Sequence, residues 1–160
     1  MGAMQGHDSR TAGNASPTGS ASSTADETPC NSLALRQASR HLSQIYDRHL
    51  AETGLRGSQY SILSRLARLG PMTIGRLAEV MVMERTALGR ALKPLQRDKF
   101  IVIAAGEDAR VRQVSLTAKG KAKFEAARKH WLKAQGEFEA AFGAENAATL
   151  RATLRRVATI

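Results

Sequence analysis

Residues 71–97, PMTIGRLAEVMVMERTALGRALKPLQR, decide the fold. Thr73 is a good N-cap, and Ile74, Leu77, Ala78 and Val80 follow it at helical spacing. A turn around Met81-Val82-Met83 separates this short helix from a second one. The second opens at Glu84 and turns Leu88, Ala91, Leu92 and Leu95 inward, and it is studded with Arg85, Arg90, Lys93 and Arg97. Two short helices joined by a tight turn, the second strongly basic, read as a helix-turn-helix.

The period changes after Asp98-Lys99. Phe100-Ile101-Val102-Ile103 is a β-rich run, Gly106-Glu107-Asp108-Ala109 is turn material, and Val111 to Leu116 alternates as a returning strand. A two-stranded hairpin directly after a basic helix reads as a wing, with Arg110 and Arg112 at its tip. Thr117 then caps a long helix with Gly120 in its first turn, running to about Ala141. Gly143 breaks it, and 144–158 form a last amphipathic helix through Ala147, Leu150, Leu154 and Val157.

On the N-terminal side, Ser58 is the expected cap of a helix burying Tyr60, Ile62, Leu63, Leu66, Ala67 and Leu69, which Gly70-Pro71 ends. Gly54 and Gly57 bracket a break before it. Thr28 and Pro29 suit the N-cap and first position of an earlier helix, with Leu33, Leu35, Ala38, Leu42, Ile45 and Leu50 on one side. Residues 1–28 hold almost no aliphatic side chains and cannot offset their ordering entropy by burial, which predicts a disordered tail. Met1–Ala3 reads as a candidate cloning remnant ahead of a start at Met4. The expected organisation is a tail over 1–28, a first dimerisation helix over 29–56, a winged helix-turn-helix lobe over 57–116, and C-terminal dimerisation helices over 117–160. The fold class is mainly α with a small β-hairpin wing. The terminal helices hold more apolar surface than a small lobe covers, and subunit pairing is the natural use of that excess.

The formal charge is +10. Residues 1–29 carry Arg10 against Asp8, Asp26 and Glu27, so the remaining 23 basic and 11 acidic side chains give +12. A body this basic suits a polyanion, nucleic acid before anionic membrane. Cys30 is the only cysteine, which rules out an intrachain disulfide and fits a reducing cytoplasm. No apolar run reaches 18 residues, so no transmembrane helix is expected. His7, His41, His49 and His130 are scattered and form no zinc pattern with one thiol. No metal or other cofactor is expected. No nucleophile-base order, paired carboxylate motif or phosphate loop suggests an enzyme.

The stretch from Pro71 to Ala78, followed by Met83 to Leu95, resembles the helix-turn-helix of the MarR family. Gly106 to Arg112 resembles that family's wing, and Val114 to Gly120 resembles its strand-to-helix junction; the likeness covers about residues 30–160. It implies a homodimer with interleaved terminal helices, mostly a repressor relieved by a ligand or by cysteine oxidation. Two departures bear on readout. Ala87 and Gly89 stand where the family often carries hydroxyls, and Pro94 removes a backbone bond within the helix, so a local kink is expected.

The expected partner is double-stranded DNA bearing a palindromic operator. Arg85 and Arg90 are the candidate base readers, because a guanidinium can fork onto guanine O6 and N7. Thr86, Gly89 and Lys93 share their face. Arg85 has an alternative role as an ion-pair partner of Glu84 or Asp108. Arg110 suits a narrow minor groove, and Arg112 stands beside it. Thr73 offers a hydroxyl at a helix N-terminus to a phosphate, besides acting as a cap. Arg36, Arg40, His41, Tyr46, Tyr60 and Trp131 are the candidate lining of a pocket for a small aromatic acid or phenol. The competing effector reading is a peroxide-sensing thiol: Cys30, in the first turn after Pro29, would gain thiolate character from the helix dipole. Against the peroxide-sensing branch of the family, Cys30 lies about two residues early. An architectural, sequence-tolerant DNA-binding protein is the remaining rival.

Overall fold

The computed structural model describes residues 30–106 and 111–159. From Ser32 onward the described residues form one compact unit. The elements are α1 (Asn31–Leu50), a single 3-10 turn (Ala51–Thr53), α2 (Gly57–Leu69), β1 (Met72–Thr73), α3 (Ile74–Met81), α4 (Arg85–Arg97), β2 (Ile101–Ala105), β3 (Arg112–Leu116), α5 (Ala118–Phe142) and α6 (Ala144–Val157). The helical majority and the small sheet follow the expected class. Among the described residues, no helix is long and apolar enough to cross a membrane.

The sheet has three strands rather than two. β3 is central, antiparallel to both β1 and β2, so Val114 faces Met72 on one side and Ile103 on the other. β1 is a two-residue strand with no alternation to read, and it ties the entrance of the helix-turn-helix to the root of the wing. The core runs through Leu63 and Leu66 of α2, Leu77 of α3, Leu88, Leu92 and Leu95 of α4, Ile101 and Val114 of the sheet, and Phe124 and Ala127 of α5. Burying eight large side chains, Leu50 of α1 among them, to under 2 % exposure is the main favourable term of the fold.

Local chemistry sets the ends of the elements. The Thr73 hydroxyl accepts from the Arg76 N–H at 3.0 Å, and that of Thr117 from the Gly120 N–H at 2.9 Å, so both predicted caps hold. α2 departs from expectation. Its cap is Arg56, whose N–H donates to Gln59 Oε1 at 2.9 Å, while Asp47 of α1 accepts from the Gly57 N–H at 2.6 Å. A carboxylate from a neighbouring helix serves the N-terminal donors better than the Ser58 hydroxyl, because it also meets the positive end of the helix dipole. Ala67 and Leu69 of α2 are exposed although they repeat the stripe of Tyr60 and Ile62, because the last turn runs past the core.

Both turns that frame α4 are Schellman motifs. After α3, Val82 is left-handed at φ 50°; its N–H donates to the Glu79 carbonyl, and the Met83 N–H donates to that of Ala78. After α4, Lys99 is left-handed at φ 60°, with the Lys99 N–H bonded to Gln96 O and the Phe100 N–H to Leu95 O. Lys119 Nζ reaches the Asp98 carbonyl at 3.0 Å, placing a cation at the negative end of α4.

Candidate nucleic-acid interface

α4 is two-faced. Leu88, Leu92 and Leu95 are sealed in the core, while Arg85, Thr86, Arg90 and Lys93 are exposed and Gly89 is half-buried. The tight Val82 turn holds α3 against α4, so Thr73 at the head of α3 and the exposed side of α4 belong to one rigid unit. α4 continues through Pro94, which leaves the Arg90 carbonyl without its usual helical donor. Arg85 lies against Gly75 of α3: a Cβ at Gly75 would stand 3.2 Å from Arg85 Nη2. Among the ion pairs of the described residues, the alternative pair of Arg85 with Glu84 does not occur. Asp108, its other alternative partner, lies outside the described residues, as does Arg110 at the wing tip. Arg112 is exposed on β3, and its Nη2 donates to the Ile103 carbonyl at 3.4 Å, which aligns it along the wing.

Two grooves flank α2. One, of about 660 Å³, lies among α1, α2, α5 and α6, with Leu35, Leu42, Leu150 and Leu154 as walls and Tyr46 and Trp131 at its side. The other, of about 870 Å³, lies between α2 and α5 and includes Tyr60 and Trp131. Tyr46 donates to Gln135 Oε1 at 2.5 Å, Gln135 Nε2 donates to Glu139 Oε1 at 2.8 Å, and Arg151 Nη1 donates to the same oxygen at 2.9 Å. Burial pushes the Tyr46 phenol up, so it stays a donor. Arg48 and His49 close on the Glu137 carboxylate at 2.5 and 2.6 Å, holding it below the usual glutamate range. These contacts tie α1 to α5 and α6.

A sequence model of the MarR family matches residues 53–111. The uncharacterized HTH-type transcriptional regulator YwoH of Bacillus subtilis is 30% identical over 112 residues, which are 70% of this chain and 82% of that protein. The chain belongs to the MarR family. Among solved structures, the M. tuberculosis transcriptional regulator MosR in complex with DNA superposes with a TM-score of 0.74 at 34% identity, over 82% of this chain and 95% of that one. Bordetella bronchiseptica BpsR, whose DNA binding is regulated by 6-hydroxynicotinic acid, shares the fold at 16% identity and a TM-score of 0.73, over 82% and 94% of the two chains.

Within this MarR-family chain the effector candidates separate. Tyr46 and Trp131 line the first groove and Tyr60 and Trp131 the second, but Arg36, Arg40 and His41 line neither. All three are exposed on the N-terminal half of α1. Cys30 is exposed and precedes the first helical residue, Asn31, so it is not in the first turn. Thr28 and Pro29 lie outside the described residues. The sequence reading also missed Arg65, Arg68, Lys121 and Arg128, which face the second groove. Arg65 and Arg68 stand three apart on α2, a signal for a shared face that the charge count alone passed over.

Proposed function

We propose that this chain is a homodimeric regulator that binds a palindromic double-stranded operator and represses transcription until a small aromatic effector binds. The observation that carries the reading is the exposed face of α4, with Arg85, Thr86, Arg90 and Lys93 displayed on a helix whose other side is locked in the core. The 34%-identical MosR, solved in complex with DNA, supports the same use of this fold. Arg85 and Arg90 take base edges, Thr73 and Lys93 take phosphates, Gly89 permits close backbone approach, and Arg110 and Arg112 belong to the wing's contact with the minor groove.

The division of labour proposed is dimerisation by 29–56 and 117–160 and DNA reading by 57–116. Leu33, Leu35, Leu132, Phe142 and Val157, all exposed, support the pairing surface. The groove beside Tyr46 is the effector site of this proposal; its lining is mostly apolar and its one ionisable member besides Tyr46 is Asp47, which favours a phenol over an acid. A regulator of this kind works in the cytoplasm and turns over no substrate.

Binding of the purified protein to its own upstream DNA against random duplex, across a salt series, tests the reading. A specific site with half-sites about one helical turn (~34 Å) apart is expected. Affinity should fall steeply with salt as counterions are released. Weak binding without sequence preference would instead mark an architectural protein. Phenol releasing the DNA supports the effector assignment; release by peroxide and not by phenol would move the switch to Cys30.

A further inference from the structure

Met83 stands where α3 ends and α4 begins, and it serves both helices. Its N–H donates to the Ala78 carbonyl at 2.9 Å, which makes it the residue after left-handed Val82 in the Schellman motif of α3. An apolar contact from that position back to the end of the helix commonly closes such a motif. Met83 also directly precedes Glu84, the N-cap of α4. Leu88, fully buried, is the fourth residue of α4, and these are the two positions that a hydrophobic staple joins. Among the described residues, Glu84 makes no side-chain capping bond, so the entry of α4 depends on apolar fastening. The Met83 side chain supplies it by packing against the buried core cluster. Val82 is 69 % exposed and contributes little packing of its own.

The same side chain is open to small reagents. Met83 is half-buried and lines a groove of about 730 Å³ together with Gly75, Glu79, Val82 and Arg85. Met72 is buried in the core, and Met81 is half-buried but lies outside the lining of this groove. A thioether packs well because it is soft and apolar. Its sulfoxide is polar and chiral, and the new oxygen needs a hydrogen-bond partner that an apolar core lacks. Accessibility and structural consequence therefore meet at one sulfur.

We propose that Met83 is a reversible oxidation site for a hypohalous acid, and that its sulfoxide unfastens the turn between α3 and α4. With hypochlorous acid, a sulfur–oxygen bond forms and the oxygen–chlorine bond breaks, releasing chloride and a proton. The thioether is oxidised by two electrons and the chlorine is reduced by the same two. The polar sulfur then fits neither the end of α3 nor the start of α4, and the strained Val82 loses the packing that holds it left-handed. Arg85, two residues on, loses its fixed seat against Gly75. The oxidation claim stands apart from the DNA reading; only its effect on operator binding rests on it.

The test uses the full chain carrying Cys30→Ser, so that its single thiol consumes no reagent. Equimolar hypochlorous acid is added, and peptide mass spectrometry with fragmentation assigns the added oxygen among Met72, Met81 and Met83. Met83 should be oxidised ahead of the other two. The urea midpoint should then fall at unchanged slope, and amide exchange at Val82 and Met83 should quicken. Methionine sulfoxide reductases A and B together should restore both. Met83→Leu conserves volume and should be stable and indifferent to the reagent. Met83→Gln, polar at similar length, should show the lowered midpoint with no oxidant present. Operator affinity, followed alongside, should fall and recover with the midpoint. Oxygen on Met72 or Met81 with Met83 intact overturns the proposal. So does a Met83 sulfoxide that leaves midpoint and exchange unchanged, or a Met83→Leu variant as sensitive as its parent. If the unoxidised protein shows no preference for an operator, the DNA reading fails, while the mass and exchange results still decide the oxidation site.

Discussion

Gly120 sits where an added Cβ would stand 1.8 Å from the Phe100 carbonyl oxygen, which itself accepts the Thr117 N–H at 3.1 Å. Gly120→Ala must therefore push α5 off the root of β2. A loss of about 3 kcal/mol in urea unfolding is expected, at the upper end for overpacked sites. Val82 gives the opposite case. It is β-branched, left-handed and 69 % exposed, so little packing offsets its backbone strain. Val82→Gly should stabilise the fold by about 1 kcal/mol, read as a higher urea midpoint at constant slope. These two residues differ in how legible they are. The turn at Val82 could be read locally, because the apolar spacing stops and restarts around it. Gly120 could be placed in a helix, but the need for glycine there comes from a carbonyl twenty residues earlier that only the folded packing brings close.

At the scale of elements, the helix-turn-helix and the wing were legible because each carries its own period, 3.6 in α3 and α4 and 2 in β3. The third strand was not, since Met72 and Thr73 take strand geometry only from their pairing with Val114 and Gln113. The cap of α2 was misread for a similar reason: Asp47 belongs to a different helix, ten residues before Gly57. The exposed side of α4 followed from its leucines, but the linings of the two grooves did not. Tyr46 and Tyr60 are close in sequence yet open into different grooves on either side of α2. Two substitutions separate the roles assigned on α4. Arg90→Ala should cost about 1–3 kcal/mol at the operator and relax preference at one base pair. Lys93→Ala should weaken all sequences alike and lower the salt slope by about 1. Equal effects of both on random and specific duplex would remove base reading from Arg90.

For the whole molecule, the carboxylates that tie the terminal helices together set an acid limit. Glu137 is held low by His49 and Arg48, and Glu139 by Gln135 and Arg151. Groups whose native pKa is depressed contribute stability above their ordinary value of 4.5 and lose it as pH falls through the lower native value. Unfolding midpoints should thus drop progressively below pH 4.5, and Glu137→Gln should flatten that decline. Pairing of two chains makes a separate prediction. Leu33→Glu with Leu35→Glu should yield monomers by light scattering and cost most of the operator affinity, since each chain would then grip one half-site alone.

In α1, the residues from Ser32 to His41 are exposed, and burial begins only with the half-buried Leu42 and the buried Ile45. A segment of about three helical turns with so little packing is marginal in water on its own. In the proposed homodimer its order comes from the second copy of the chain, and far-UV ellipticity should weaken on dilution through the association range. A cell holding few copies would contain partly unwound, idle chains, and one holding many would contain competent ones. Under the proposed pairing and repression, the abundance of the protein becomes an input to its own shape, and a controlled gene would respond to how much regulator is made more steeply than simple occupancy requires.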